Sequence, residues 1–410
     1  MATPSVMTAA DISAAGGATA AQLADIVAGG SRRVAHVGSR TIIPDTSNTA
    51  SSQNASRRWD VAKDDIAALA LVYGNWILTA AGEQAITNPR TVRADIEYPI
   101  GTFTRVTWNS GATTTGSLTA GQDELVSDFM SVTIPKGAIY RISTWTDCID
   151  AAYKFNTDAQ GWQALGDGAS SGIADPTGAP WTPASVGGIG YNPYAIIAQT
   201  RIPSIMGVGD SRVAGTGLGS GSGFTPFAGC LAALASTPGI GFLNMARGSQ
   251  SAQSAASGQF AKRAAYFKYV SAAVLGLGYN DLNIGGRTAL QVYTDRQTIR
   301  GLAPNLKWFQ TTIEPATTST DSWATIANQS PNGLNATRIV FNDNYVRAGA
   351  PGFSGYLDLA DAVETQRNSG LIKAPPMVPN AITTDGLHFG LGSFGLYRPY
   401  VANVPELYRR

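Results

Sequence analysis

The chain has 410 residues, with 29 Lys and Arg against 28 Asp and Glu, for a formal net charge of +1. With no basic stripe and no acidic tail, nucleic acid is excluded as an expected partner. Charged residues make up 14% of the chain, well under the roughly 25% of an average soluble protein. Together with 46 glycines, that describes a small-polar surface of the kind extracellular and particle-associated proteins carry.

No run approaches the roughly 18–20 apolar residues of a membrane span. No P-loop, dinucleotide fingerprint or Cys-x-x-Cys is present, so no nucleotide cofactor is expected. Residues 1–30 lack a basic start and an uninterrupted apolar core, so a signal peptide is not expected. Cys148 and Cys230 are too few for a metal site, and both pairing and free thiols are open to them. At roughly 100–200 residues per domain, the length suggests two or three domains.

Residues 1–34 read as an N-terminal arm, with a short alanine-rich helix over 8–28. His36 follows, far from any motif, and is expected to be structural. Residues 45–54 are rich in Ser, Thr and Asn and read as loop. From 65 to about 146 the pattern becomes short alternating segments: 69–76, 91–98 with clear period two, 103–108, 125–134 and 138–145. Asn109-Ser110-Gly111 and Pro135-Lys136-Gly137 mark turns among them. Strands at this spacing predict a β-sandwich, jelly-roll-like, over residues 35–197.

Residues 158–192 are rich in Gly, Pro and Ser and carry Trp162, Trp181 and Tyr191. A structureless segment of this length is usually functional or disordered. The three aromatics are candidate substrate contacts, as a wall of a site or a platform for the apolar face of a sugar ring. The alternative is that they pin the loop to the sandwich.

After residue 198 apolar strands and helical segments take turns. Strands are expected at 202–208, 242–246, 273–277, 306–313 and 356–359, with helices over 288–302 and 333–347. That alternation predicts a mostly parallel sheet with helices on both faces. Four runs fall where strands end. Gly207-Val208-Gly209-Asp210-Ser211 closes the first, Arg247-Gly248 the second and Gly278-Tyr279-Asn280-Asp281 the third. The last run is Asp385-Gly386-Leu387-His388, after the final strand and near a C-terminal helix.

The chain has only two histidines, and histidine is the usual general base near neutral pH. A carboxylate three residues before His388 can orient its ring. Alone, Ser211 is as readily a helix-capping serine as a nucleophile; the ordered set of runs carries the reading. Asp210 is expected to tie down the loop backbone.

These four runs, in this order, resemble the SGNH (GDSL) hydrolase family over about half the chain, from about residue 198 to the C-terminus. The resemblance implies a three-layer α/β/α, flavodoxin-like domain with a five-stranded sheet over 198–410. It implies Ser211 as nucleophile, His388 and Asp385 as the rest of a triad, and Gly248, Asn280 and the Ser211 amide as oxyanion donors. Arg212 stands where the family's name has leucine and joins the aromatics as a candidate substrate contact. The second run is shorter than the common Asn-x-Gly-x-x-Gly form.

The expected function is therefore a serine esterase that cleaves short acyl esters, O-acetyl above all, on a small molecule or a polysaccharide. It needs neither metal nor cofactor. No long apolar lid helix of a lipase is apparent. The alternative is a glycan-binding or phage-tail-type particle module whose esterase activity is weak or lost.

Overall fold

The computed structural model describes residues 32–404, other than 42, 45, 49–50, 80, 149–152, 156–166, 187–189, 217–228, 238 and 403, and also Leu407. The helix expected over 8–28 and Trp162 lie outside the described residues.

Two antiparallel sheets build the N-terminal half. The larger has seven strands, ordered Ser185–Val186, Gly168–Ser171, Gln53–Val61, Ile139–Cys148, Arg90–Glu97 and Phe103–Arg105, with Gly116–Leu118 also paired to Arg90–Glu97. The smaller has five, ordered Arg33–His36, Ala195–Thr200, Ile66–Tyr73 and Leu125–Val126, with Met130–Ile134 also paired to Ile66–Tyr73. Met130–Ile134 buries Val132 and Ile134 and exposes Ser131 and Thr133, the alternation of a strand with one wet face. Ile66–Tyr73 is instead buried without a break from Leu69 to Tyr73. The two sheets meet at a hydrogen bond between the Tyr73 and Thr144 hydroxyls, 2.9 Å long.

The structure departs from the expected elements at several places, among them 69–76, which is divided between Ile66–Tyr73 and Trp76–Thr79. The segment 125–134 is two strands, because Ser127 and Asp128 between them are engaged elsewhere. The Ser127 hydroxyl accepts from the Leu71 amide at 2.9 Å, and Asp128 accepts from the Ser110 and Gly111 amides at 2.9 and 2.8 Å. The loop expected at 45–54 contains Thr46–Asn48 and the start of Gln53–Val61. In the latter strand Asn54, Ser56, Arg58 and Asp60 are all buried, so its inner positions are polar and give no apolar alternation. The segment 158–192 is not one long loop either: Gly168–Ser171 pairs with Gln53–Val61 and with Ser185–Val186.

The C-terminal half holds a five-stranded parallel sheet: Gly241–Asn244, Ser204–Gly209, Ala272–Gly276, Lys307–Thr311 and Gly355–Leu357. In chain order this is 2-1-3-4-5, the flavodoxin-like arrangement. Successive residues feed two separate apolar layers. Ile205, Ala272, Val274 and Phe309 pack with Leu231, Leu234 and Tyr397 on one side. Met206, Val208, Ala273, Leu275 and Trp308 pack with Val292, Ile299 and Phe341 on the other. Period two has thus sorted the side chains into a sheet covered on both faces.

The helix Ala289–Gly301 starts at a capping box formed by Thr288 and Gln291, which satisfies two orphan amides at its first turn. The helix expected over 333–347 is Asn335–Phe341 followed by a π turn, Asn342–Arg347. Its buried Asn342 amide bonds the Ile313 N–H at 2.8 Å and the Ile313 carbonyl at 2.9 Å. A π turn commonly marks such an insertion near a functional edge.

The two halves share one core. Tyr73, Trp76 and Tyr194 of the β half cluster with Tyr266, Phe267 and Trp308 of the α/β half. Trp76 meets Tyr266 edge-on at 6.1 Å, and Tyr194 stacks on it at 6.3 Å. A buried ion pair, Arg263 with Glu83 at 3.0 Å, crosses the same junction. His36 sits there too, fully buried. Its Nδ1 accepts from the Ile196 amide at 3.2 Å, and burial pushes its ring down to about 4. It is a neutral structural histidine. Both cysteines are buried, and neither is in a disulfide.

Candidate active site

Three neighbouring parallel strands end at one edge: Ser204–Gly209 in the middle, Gly241–Asn244 and Ala272–Gly276 beside it. The sheet order reverses across Ser204–Gly209, and open α/β sheets bind ligands outside the carboxyl ends at such a reversal. The chain turns sharply there. A Cβ on Gly209 would lie 2.3 Å from Val213 Cγ2, so only glycine lets the next helix fold back onto the strand. Asp210 caps that helix, Ser211–Ala214, by accepting from the Arg212 amide at 3.0 Å. Ser211 is its first residue, half-buried, at the mouth of the edge.

The last run reaches the same point from 177 residues away. His388 Nε2 lies 2.9 Å from Ser211 Oγ, and His388 Nδ1 lies 2.7 Å from Asp385 Oδ2. Asp385 Oδ1 accepts from the Leu387 and His388 amides at 2.8 and 2.7 Å, so one carboxylate shapes the turn and orients the ring. Partial burial opposes its charge, but the bonds from the His388 amide and ring and from the Leu387 amide outweigh it and hold its carboxyl below the usual range. An ionised Asp385 accepts a hydrogen bond from Nδ1–H, which fixes that tautomer and leaves Nε2 to accept from the Ser211 hydroxyl. Gly386 has φ +72°, and a Cβ there would lie 1.9 Å from the Thr317 carbonyl oxygen. The Thr383 hydroxyl donates to the His388 carbonyl at 2.8 Å and accepts from the Gly386 amide at 2.9 Å.

The flanking runs are knitted to the serine turn. The Met245 and Arg247 amides donate to the Gly207 and Gly209 carbonyls at 2.8 and 3.0 Å, which brings Gly248 alongside. The Asn280 side chain donates to the Gln250 carbonyl at 3.0 Å. Buried Asp281 accepts from the Ala252 and Gln253 amides at 2.7 and 2.9 Å, locking the two loops together. Among the described residues nothing accepts from the Ser211 or Gly248 amide, and the second N–H of Asn280 is uncommitted. Three N–H donors are therefore available at this edge.

Two of the expected substrate contacts are corrected, and the contacts of a third lie elsewhere among the described residues. Arg212 is buried, 5% exposed. Its guanidinium donates to the Glu314 and Pro315 carbonyls at 2.7 and 3.1 Å and pairs with the Glu314 carboxylate at 3.3 Å. It lies over the Tyr279 ring at 4.1 Å and near the Phe389 ring at 5.8 Å, the neighbours of Asn280 and His388. It fastens the motifs to one another. Tyr191 is a core residue, 1% exposed, with its hydroxyl donating to the Gly74 carbonyl at 2.7 Å and its ring stacked on Tyr73 at 5.7 Å. Trp181 is half-buried against the seven-stranded sheet, where its indole donates to the Ser143 hydroxyl at 3.2 Å and the Arg57 guanidinium lies 5.6 Å from its ring.

Sequence reasoning passed over Thr383, Asp281 and Glu314, whose partners lie far along the chain or in backbone amides; only the Asn-Asp and Thr-x-Asp spacings hinted at two of them. Among the described residues no group of three His, Cys, Asp or Glu could hold a metal ion, and no helix is long and apolar enough to cross a membrane.

No protein-family model matches the chain, and no curated protein does. Several solved structures are similar to it. A family two carbohydrate esterase from Clostridium thermocellum, in complex with cellohexaose, is 11% identical over 92% of this chain and 99% of that one, with a TM-score of 0.34. A member of the lipolytic G-D-S-L family from Veillonella parvula is 18% identical over 49% of this chain and 97% of that one, at 0.34. A carbohydrate acetylesterase from Sinorhizobium meliloti is 15% identical over 50% of this chain and 100% of that one, at 0.32. The C-terminal half has a flavodoxin-like sheet order, and the runs that carry Ser211, Asp385 and His388 meet at one edge of it.

Proposed function

We propose that the protein is a serine esterase that hydrolyses short acyl esters through an acyl-enzyme. The observation that carries this is the unbroken chain from Ser211 Oγ to His388 Nε2 at 2.9 Å and from His388 Nδ1 to Asp385 at 2.7 Å. Nucleophile, base and orienting carboxylate stand in hydrogen-bond sequence, as acyl transfer requires.

Ser211 Oγ attacks the ester carbonyl carbon while His388 Nε2 takes its proton. Asp385 keeps the ring in register and stabilises the imidazolium that forms. The amides of Ser211 and Gly248 and the Asn280 side chain donate to the oxyanion of the tetrahedral intermediate. Its collapse breaks the ester C–O bond, and His388 returns the proton to the leaving alcohol. Water then attacks the acyl-serine with His388 again as base, releasing the acid and restoring the Ser211 hydroxyl. The substrate we favour is a small acyl group, acetyl first, carried on a carbohydrate.

Hydrolysis of p-nitrophenyl acetate, butyrate and octanoate by wild type and Ser211→Ala tests this. Acetate should be cleaved fastest, and Ser211→Ala should abolish the activity. Residual wild-type turnover in Ser211→Ala would sink the mechanism, and faster cleavage of octanoate would sink the short-acyl assignment.

A further inference from the structure

An aromatic side chain that sequence did not single out packs on the turn between Asp385 and His388. After the fourth parallel strand the chain forms a hairpin, Thr317–Ser319 paired with Gln329–Pro331. At its tip Ser322 and Trp323 both have left-handed backbones, φ +56° and +60°. Two successive non-glycine residues in that region are strained, and for a bulky side chain the conformation is a genuine outlier. Such strain persists only where the surroundings impose it, and it gathers at functional sites.

The tip is held by its own side chains. The Ser319 hydroxyl donates to Asp321 at 2.8 Å and accepts from the Trp323 amide at 2.9 Å. Asp321 also accepts from Thr325 at 2.6 Å and from Asn328 at 2.9 Å. The Trp323 indole N–H donates to the Thr317 hydroxyl at 2.8 Å. The ring is thereby laid on Gly386, where a Cβ would come 2.5 Å from Trp323 Cζ2. Gly386 lies between Asp385 and His388, so the indole abuts the turn that carries the base. It is only half-buried.

At the foot of the same hairpin lies a cleft whose walls include Ala316 and Asn332, on the two sides of the hairpin, together with Tyr279, Leu282 and Asn283. Tyr279 precedes Asn280. The Asn332 side chain donates to Asn283 Oδ1 at 2.8 Å, which leaves the Asn283 NH2 without a partner among the described residues. The lining mixes apolar side chains with the Asn283 and Asn332 amides, and such a mixture at the edge of a stacking surface suits the hydroxyls of a ring that has one C–H face.

We propose that Trp323 is the platform on which the sugar ring of an acylated carbohydrate stacks while its ester is presented to Ser211, and that the Asn283 and Asn332 amides in the adjoining cleft bind its hydroxyls. This rests on the esterase reading of Ser211 and supplies its substrate class. Flat indole faces match the C–H face of a pyranose, and a pre-strained tip holds the ring in place before the ligand arrives.

The test pairs a binding assay with a substrate ratio. Ser211→Ala, with and without Trp323→Ala, is titrated by calorimetry with acetylated oligosaccharides derived from xylan, glucomannan and chitin. At least one should bind, and Trp323→Ala should weaken it by about tenfold or more. In the active protein, kcat/KM for that oligosaccharide relative to p-nitrophenyl acetate should fall about tenfold or more with Trp323→Ala, and Trp323→Phe should restore most of the ratio. An unchanged ratio, with both substrates losing equally, would make Trp323 a mere prop for the His388 turn and overturn the proposal. Failure of all the oligosaccharides to bind would overturn it too. If wild type left p-nitrophenyl acetate intact while binding still depended on Trp323, the esterase reading would fall and the platform would stand.

Discussion

Asp210 offers a test of how the nucleophile's turn is held. The residue is 1% exposed. Its Oδ1 caps the Ser211 helix, and its Oδ2 has no hydrogen-bond partner among the described residues. Burial, opposed by the neighbouring Arg212 charge, raises its carboxyl from 3.8 to about 6. A rise of about two pH units corresponds to about 3 kcal/mol in favour of the protonated form. Between about pH 4 and 6 the folded protein keeps a proton that the unfolded chain has released. This residue's contribution therefore falls as pH rises through that window and stays lost above it.

The wild-type profile alone cannot isolate the effect, because other groups titrate nearby. Asp95, raised by burial to about 6, acts in the same direction. His36, lowered by burial to about 4, acts in the opposite one, since the unfolded chain binds its proton more readily. Taking the difference between Asp210→Asn and wild type at each pH cancels both. Asparagine keeps the capping oxygen. In urea unfolding, the variant should gain on wild type by about 2–3 kcal/mol between pH 4 and pH 7.5. A constant offset already present at pH 4 would report the new amide's unpaired N–H groups. A difference that is flat with pH would refute the reasoning and show that Arg212 fully compensates the buried charge.

Ser211→Ala and His388→Ala should each lower turnover of p-nitrophenyl acetate by about four to six orders of magnitude with circular dichroism unchanged; a surviving His388→Ala enzyme would contradict the assignment of the base. Asn280→Ala should lose about two to three orders in kcat, with a smaller effect on KM; an effect on KM alone would remove it from the oxyanion site. Arg212→Lys keeps the charge but cannot reproduce the bonds to Glu314 and Pro315 or the stacking on Tyr279. It should cost about 2–4 kcal/mol in chemical unfolding, and an unaltered midpoint would show that Arg212 fastens nothing.

What the sequence disclosed and what it hid follow from where each residue's partners lie. The meeting of Ser211, Asp385 and His388 was legible because the residue types are rare and local: two histidines in the chain, one of them three residues after an aspartate. The parallel sheet was legible because strands buried on both faces read as continuous apolar runs. Gln53–Val61 was not, since its inner side chains are Asn54, Ser56, Arg58 and Asp60, and these are tolerable inside only through partners that sequence cannot show. Asp60, for one, is matched by the Ser39 and Arg40 amides at 3.1 and 3.2 Å.

The same reason misplaced the aromatic residues expected to contact a substrate. Tyr191 and Trp181 stand in a Gly- and Pro-rich segment that resembles an exposed loop, yet a large ring gains more by covering a sheet than by facing water. Trp323 stands in an unremarkable Ser-Trp pair, and its position depends on a left-handed tip and on a glycine 63 residues away at Gly386. Catalytic residues must keep their identity for the reaction to occur, so they leave a signature in the chain. A binding platform needs only some flat ring at the right place, and that place is fixed by the fold. The proposed acyl chemistry therefore rests on residues that the sequence could name, whereas the proposed carbohydrate platform rests on a hairpin that lays an indole against the turn between Asp385 and His388.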